Sequence, residues 1–527
     1  MRRMNLRRLS PLLFLTVLTL LLPAWVASPS VAGPPDPTLL RVEGGWLRGA
    51  VTGEVIRFSG VPYAAPPVGE RRWTAPAAPE KWKGVRAATT SAPKCPQPGW
   101  DNDGDPVVIG DEDCLYLDVV RPRRPERRGP MPVLVWLHGG NLTSGAGSEY
   151  DGARLATRGD IVVVTVNYRL GALGFLSSPA LDSSRHVSGN DGLLDQAAAL
   201  RWVRRNIRAF GGDPRRITLA GQSAGARSVC AHLASPRSRR LFHRAIVQSG
   251  PCTQPVMNKT RADTKGRRAV AELGCTEVAD AAACLRRVPV TELLELTDRG
   301  SPFLRERRDD LWGPVAGTPF LPLQPQRALR RGDAAGVPLL LGSMRDEARG
   351  AVLGNLPDLS AEEYSEMVGT LFGDDAEAVL AAYPAGDHRS PALALARVLT
   401  DWGYSCPTLA TARVASRHAP VYAYAMHEAS PPVGGTRYGA YHGWDLPFLW
   451  RTSIPFTQYP PLSPDQRRLS ARMVRYWTTF VSTGAPDGRD RSPWRTFSAS
   501  REGLRLAVSG TRPIRLGPGH HCGLWGP

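Results

Sequence analysis

Phe210-Gly211-Gly212-Asp213-Pro214-Arg215-Arg216-Ile217-Thr218-Leu219-Ala220-Gly221-Gln222-Ser223-Ala224-Gly225 is the stretch that decides how this chain folds. Ile217–Ala220 is a short apolar run with the character of a buried strand, and Gly221–Gly225 is a G-x-S-x-G turn. A small-residue helix then follows, through Leu233. Strand, glycine-flanked serine and helix, in that order, make a nucleophile elbow. The glycines leave room where any side chain would clash, and the serine is held in a strained backbone conformation. Its hydroxyl then stands above the sheet at a helix N-terminus, where the Ala224 N–H can stabilise a developing oxyanion.

Outward from the elbow the same pattern recurs. Val133–Leu137, Ile161–Val166, Ala245–Gln248 and Val337–Leu341 are continuous apolar runs bounded by glycine and polar residues, as in strands buried on both faces. Leu193–Ile207 carries Leu193, Leu194, Ala197, Leu200, Val203 and Ile207 at helical spacing and stops before Phe210-Gly211-Gly212. Such alternation predicts an α/β fold, a mostly parallel twisted sheet with helices on both faces. From about Pro255 to Pro325 the pattern turns helical and charged, which reads as a helical insertion, while Pro29–Pro37 and Ser430–Gly435 read as a linker and a loop.

A chain of 527 residues, 42% apolar and 22% charged, can bury a large core and is not a disordered one. No period of roughly 20 to 50 residues marks a solenoid or propeller. The net charge is +18 and rests almost wholly on arginine, since Lys81, Lys83, Lys94, Lys259 and Lys265 are the only lysines. The arginines are scattered, without the aromatic-interleaved basic stripe of a nucleic-acid binder, so no nucleic-acid partner is expected. Residues 1–32 read as a secretory signal peptide: basic Arg2, Arg3, Arg7 and Arg8, apolar Leu12–Val26, then small Ser30, Val31 and Ala32, with cleavage near Ala32. The apolar run is short for a membrane span and Pro23 lies near its end, so no stable anchor is expected. Residues 33–527 are then one exported domain, by a route the sequence leaves open. Its cysteines, Cys95, Cys114, Cys230, Cys252, Cys275, Cys284, Cys406 and Cys522, are even in number, which in an exported chain implies disulfides. None forms a C-x-x-C pair, which disfavours zinc ribbons and redox sites, and no metal or organic cofactor is expected.

A serine nucleophile needs a base and the base an orienting acid, in the chain order serine, acid, histidine. Asp346 and Glu347 follow the strand Val337–Leu341; adjacent side chains point apart, so one of the two serves, and the pattern does not separate them. Beyond them lie His388, His418, His427, His442, His520 and His521. His442 sits in Tyr438-Gly439-Ala440-Tyr441-His442-Gly443-Trp444-Asp445, a small-residue loop suited to a mobile, exposed imidazole. His427 follows the strand-like Val421–Met426 and reads as structural. His138-Gly139-Gly140-Asn141 follows Val133–Leu137 directly and is an H-G-G type loop that supplies further oxyanion donors.

These residues resemble the type-B carboxylesterase family, which includes carboxylesterases, cholinesterases and bile-salt-type lipases. The resemblance is carried by Phe210–Gly225 and by Glu112-Asp113-Cys114-Leu115-Tyr116-Leu117-Asp118, with Gly60–Tyr63, Asn167–Phe175, Gly189–Gln196 and Gln248–Gly250 in support, and runs from about residue 40 to Trp525. It implies an α/β-hydrolase fold and a secreted serine carboxylesterase acting on small-molecule esters through an acyl-enzyme. It further implies Glu347 as the acid, His442 as the base, Gly140, Asn141 and Ala224 as the oxyanion donors, and Ser249 as a serine supporting the triad. The family's disulfides imply Cys95–Cys114, Cys275–Cys284 and Cys406–Cys522. Cys230 and Cys252 stand outside that set; one follows the nucleophile and the other Ser249, and a fourth bridge between them is the expectation.

The chain departs from the family at several places, one being the short acidic loop between Cys95 and Cys114, whose single Trp100 does not align with the aromatic choline site of cholinesterases and so disfavours a cholinesterase. Asn141 stands where Gly or Ala is usual, its side chain narrowing the pocket; Ala348 replaces a Gly after the acid; and Gln222 replaces the common Glu before the nucleophile. A non-catalytic binding module of the same fold is disfavoured because serine, acid and histidine are all present. A lipase would need an apolar lid, whereas the Pro255–Pro325 segment carries Arg305, Arg307, Arg308, Asp309 and Asp310. Acyl and alcohol preference and oligomeric state are left open.

Overall fold

In the computed structural model, which describes residues 36–101, 103–276, 280–296, 312–429, 435–450, 461–486 and 494–525, the apolar runs assemble into one eleven-stranded sheet. In chain order its strands are β1 (Ala50–Thr52), β2 (Val55–Pro62), β3 (Tyr116–Pro122), β4 (Met131–Leu137), β5 (Val162–Val166), β6 (Gly212–Gln222), β7 (Arg244–Gln248), β8 (Leu339–Met344), β9 (Val421–Met426), β10 (Gly503–Leu506) and β11 (Arg512–Ile514). In space they lie β11-β10-β9-β8-β7-β6-β4-β5-β3-β2-β1. The run from β5 through β4 and β6 to β10 is parallel, and β3, β2, β1 and β11 add antiparallel edges. The signal peptide expected over 1–32 lies outside the described residues.

Period-two alternation sends neighbouring residues to opposite faces. In β4, Val133, Val135 and Leu137 join one apolar layer, while Leu134 and Trp136 join the other. The same split divides Leu339 and Leu341 from Leu340 and Met344 in β8. Both layers are dry, which is why these strands read as continuous apolar runs rather than alternating ones. Helices α2 (Asp191–Asn206), α3 (Ala224–Ala234) and α4 (Cys406–Ala415) contribute to the first layer, and α1 (Ala153–Gly159) and α5 (Pro464–Thr483) to the second.

Several boundaries differ from the sequence reading, among them β6, which spans Gly212–Gln222 rather than Ile217–Ala220. The strand expected over Val337–Leu341 begins at Leu339, because Pro338 has no N–H for the ladder, and it runs on to Met344 in register with Met426. The helix expected over Leu193–Ile207 spans Asp191–Asn206; Ile207–Phe210 then tighten into a 3-10 turn closed by Gly211 at φ 80°. Within Pro255–Pro325 the described residues form helices Lys259–Glu272, Ala281–Arg287 and Val290–Glu295. The charged stretch Arg305–Asp310 and most of the Ser430–Gly435 loop lie outside the described residues.

All eight cysteines lie at bonding distance in pairs: Cys95–Cys114, Cys230–Cys252, Cys275–Cys284 and Cys406–Cys522. Cys230 lies on α3 and Cys252 just beyond β7, so that pair ties the helix leaving Ser223 to the neighbouring strand. Cys95–Cys114 closes a loop holding a small hairpin, Gln97–Trp100 against Pro106–Ile109.

Candidate active site

The chain passes from β4 to β5 on one side and returns to place β6 on the other. Strand order therefore reverses at β4, and the crevice above the carboxyl ends of β4 and β6 is where open α/β sheets bind ligands. Ser223 leaves β6 there with φ 57° and ψ −123°, a conformation rarely adopted by a non-glycine residue. Its N–H donates to Gln248 O at 2.8 Å, anchoring the turn to β7. A Cβ on Gly225 would lie 2.1 Å from Leu137 O, so only glycine lets α3 start this close to β4.

The loop after β4 passes directly over the serine; a Cβ on Gly139 would sit 3.2 Å from that of Ser223. Gly140, Asn141 and Leu142 follow with φ of 102°, 56° and 61°. Asparagine tolerates the left-handed region better than other side chains, which accounts locally for Asn141. The N–H groups of Gly140, Asn141 and Ala224 donate to no acceptor among the described residues. For Ala224 this follows from its place as the first residue of a helix. His138, buried against Tyr168, supports the loop from below: Tyr168 donates its hydroxyl to His138 O at 2.6 Å, and burial draws the imidazole pKa down to about 4, so it stays neutral. Gln97 clamps the loop from the side, accepting the Gly145 N–H at 2.7 Å and donating to Gly145 O at 3.1 Å.

Of the two acids after β8, only Glu347 reaches a histidine. Its Oε2 lies 2.5 Å from His442 Nδ1, its Oε1 accepts the Met344 N–H at 2.8 Å, and it is fully buried. The extension of β8 to Met344 carries that N–H to it. Asp346 turns away to Arg345 and accepts the Ala440 N–H at 2.9 Å, pinning the histidine loop by its backbone. The imidazole of His442 is 20% exposed, less open than the loop composition suggested, because Glu347 and Tyr404 flank it. The Ser223 hydroxyl makes no hydrogen bond among the described residues; His442 Nε2 instead faces the side-chain amide nitrogen of Gln222 at 3.2 Å. Serine–histidine contacts are often long without substrate. The other histidines are elsewhere: His418 is near Arg330 O, His427 pairs by backbone with Leu506, and His520 contacts Asp401.

Ser249 has φ 52° and donates its N–H to Gly342 O, and its buried hydroxyl has no hydrogen-bond partner among the described residues. Gln248 supplies support. Its carbonyl holds Ser223, its amide donates to Asp445 Oδ2 at 2.6 Å, and Trp477 of α5 donates to its Oε1 at 2.9 Å. One side chain thus joins the elbow, the histidine loop and the second helical layer. Burial, aided by the charge of Glu347, raises the Asp445 pKa to about 6. Sequence reasoning passed over Gln248 and Asp445; the signal for them was their place beside Ser249 and within the His442 loop. Among the described residues no group of three or more His, Cys, Asp or Glu is placed to hold a metal ion.

Residues 36–514 match the sequence model of the carboxylesterase family. The chain is 36% identical over 489 residues to fumonisin B1 esterase of Sphingopyxis macrogoltabida, covering 90% of this chain and 88% of that protein. It is 36% identical over 466 residues to para-nitrobenzyl esterase of Bacillus subtilis (strain 168), covering 85% and 90%. A solved structure of a PNB esterase superposes with a TM-score of 0.76 at 34% identity, covering 91% of this chain and 98% of that one.

Proposed function

The chain belongs to the carboxylesterase family and is a carboxylic-ester hydrolase, and from that premise we propose that Ser223, His442 and Glu347 are its catalytic triad. The 2.5 Å contact between Glu347 and His442 Nδ1 carries this reading. With the Nδ1 proton held toward Glu347, Nε2 is the basic nitrogen and takes the proton of Ser223 as the serine attacks the ester carbonyl. The uncommitted N–H groups of Gly140, Asn141 and Ala224 receive the oxyanion. A backbone donor already held in place costs no reorganisation, and losing one typically lowers kcat about 100- to 1000-fold. His442 returns the proton to the departing alcohol, then activates the water that releases the acid. Glu347 stays ionised and fixes the tautomer.

Export after cleavage near Ala32 is part of the same proposal. Four disulfides favour an oxidising compartment, and no described helix is long and apolar enough to cross a membrane. The test is hydrolysis of p-nitrophenyl acetate, butyrate and palmitate by residues 33–527, beside Ser223→Ala and Glu347→Gln. We expect short-chain activity that vanishes with Ser223→Ala and drops at least about 1000-fold with Glu347→Gln. Parent-level turnover in both variants would remove the triad.

A further inference from the structure

Close to Ser223 in the chain stands a charged residue that the proposed mechanism does not use. Arg227 follows Ser223 by four residues in the first turn of α3, and its N–H bonds to Ser223 O at 3.0 Å. Residues four apart share a helix face. The guanidinium is closed in enough that burial lowers its pKa, and the opposing influence comes from Tyr404. Tyr404 belongs to Asp401–Ser405, a widened π-type turn, and its ring lies 5.2 Å from that of His442. Widened turns of this kind recur where a side chain is re-aimed into a site. Tyr404 therefore neighbours both Arg227 and His442.

Several enclosed guanidiniums elsewhere meet carboxylates, while Arg121 and Arg244 bond backbone carbonyls and Arg201 has neither partner among the described residues. Arg169 meets Asp195 at 2.7 Å, Arg72 meets Glu112 at 2.6 Å, and Arg397 meets Asp401 at 3.1 Å. Arg227 has no carboxylate partner and no side-chain hydrogen bond among the described residues, yet stays partly open to solvent. A half-buried cation without a counter-charge is unfavourable unless a ligand supplies one. The N-terminal end of α3 adds positive potential on the same side. In the helix Ala224-Gly225-Ala226-Arg227-Ser228-Val229-Cys230 it is the single charge in an otherwise small and apolar sequence.

We propose that Arg227 binds a carboxylate of the substrate, so that the preferred esters carry a free carboxylate a few bonds from the scissile carbonyl. This rests on the ester-hydrolase reading above and narrows it to a substrate class. The carboxylate can belong to the acyl or to the alcohol part, and the experiment separates the two. Methyl butyrate is compared with monomethyl succinate, and phenyl acetate with 4-acetoxybenzoate, by titrating released acid in the parent protein, Arg227→Met, Arg227→Lys and the exposed control Arg268→Met.

The expected result is a higher kcat/KM for one carboxylate ester than for its neutral counterpart. That ratio falls about 10- to 100-fold in Arg227→Met, as for loss of one charge-assisted hydrogen bond, mostly through KM. Arg227→Lys restores part of it, Arg268→Met leaves it unchanged, and added salt shrinks it in the parent. If Arg227→Met fails to fold, Arg227→Lys and the salt dependence of the parent ratio decide. Neutral esters hydrolysed as well as both carboxylate esters, or a ratio unmoved by Arg227→Met, overturn the proposal and leave the esterase reading standing. No hydrolysis of any of the four overturns both.

Discussion

At His442 the nitrogen that receives the serine proton in the proposed triad already has a neighbour. Nε2 is the acceptor when Nδ1 carries the proton toward Glu347, and the Gln222 amide is placed to donate to it. An amide can present either a donor or an acceptor. Turned over, its oxygen would accept from the imidazolium formed during attack, so Gln222 can accompany both states of the base without adding charge. A carboxylate at this position could only accept. Gln222→Glu therefore places a negative charge beside Nε2 and favours the charged imidazole, which cannot take the serine proton. The acidic limb of kcat/KM against pH should move upward by about one unit in that variant, and a pH–rate profile reads it directly. An unmoved limb would mean that the amide contact has no part in the resting base.

At the scale of elements, the loop proposed to hold the oxyanion is held from outside its own strand. Gln97 sits in the segment closed by Cys95–Cys114 and bonds Gly145 by both its amide groups. Gly145 has φ 102°, and a Cβ there would lie 2.5 Å from His138 Nδ1, so loop and histidine are packed without slack. Gln97→Ala leaves the Gly145 N–H and C=O unpaired and frees the loop to shift. Donors that act on the oxyanion matter more in the transition state than in the ground state. We expect kcat to fall about tenfold or more with KM nearly constant, measured on p-nitrophenyl butyrate. A change confined to KM would place Gln97 in substrate binding instead.

At the scale of the whole molecule, Asp191 and Asp445 are the buried acids among the described residues whose pKa values rise furthest. Asp191 is fully buried at the start of α2, with neither oxygen hydrogen-bonded among the described residues, although His186 Nε2 lies 3.2 Å away. Burial raises its pKa to about 7, against the lowering influence of Arg169. Asp445, behind the triad, is raised to about 6. An acid raised on folding binds its proton more tightly in the native than in the unfolded chain. Its stabilising contribution is present at low pH and is lost as pH rises from the unfolded value near 3.9 through the folded one. For Asp191 that window ends near pH 7. The melting temperature should therefore fall between pH 5 and 8, and Asp191→Asn should flatten the fall and melt higher than the parent at pH 8. A steeper fall in the variant would show that Asp191 is ionised and usefully paired with Arg169.

By itself the sequence determined what depends on a few consecutive residues. Continuous apolar runs such as Val133–Leu137 mark strands dry on both faces, and Gly221-Gln222-Ser223-Ala224-Gly225 encodes the strained turn at Ser223. The tertiary structure alone decided what depends on residues far apart meeting. Asp346 and Glu347 occupy the same local pattern, yet only Glu347 points to His442, 95 residues away, because β8 runs on to Met344 in register with β9. Gln248 and Asp445 meet across 197 residues, and no periodicity marks either. Nor does any local pattern record that Arg227 lacks the carboxylate that Arg169, Arg72 and Arg397 each found. Backbone conformation and burial are written locally because sterics and solvent act on neighbouring residues. Pairing between side chains is written in strand register and helix packing, which exist only once the chain has closed on itself.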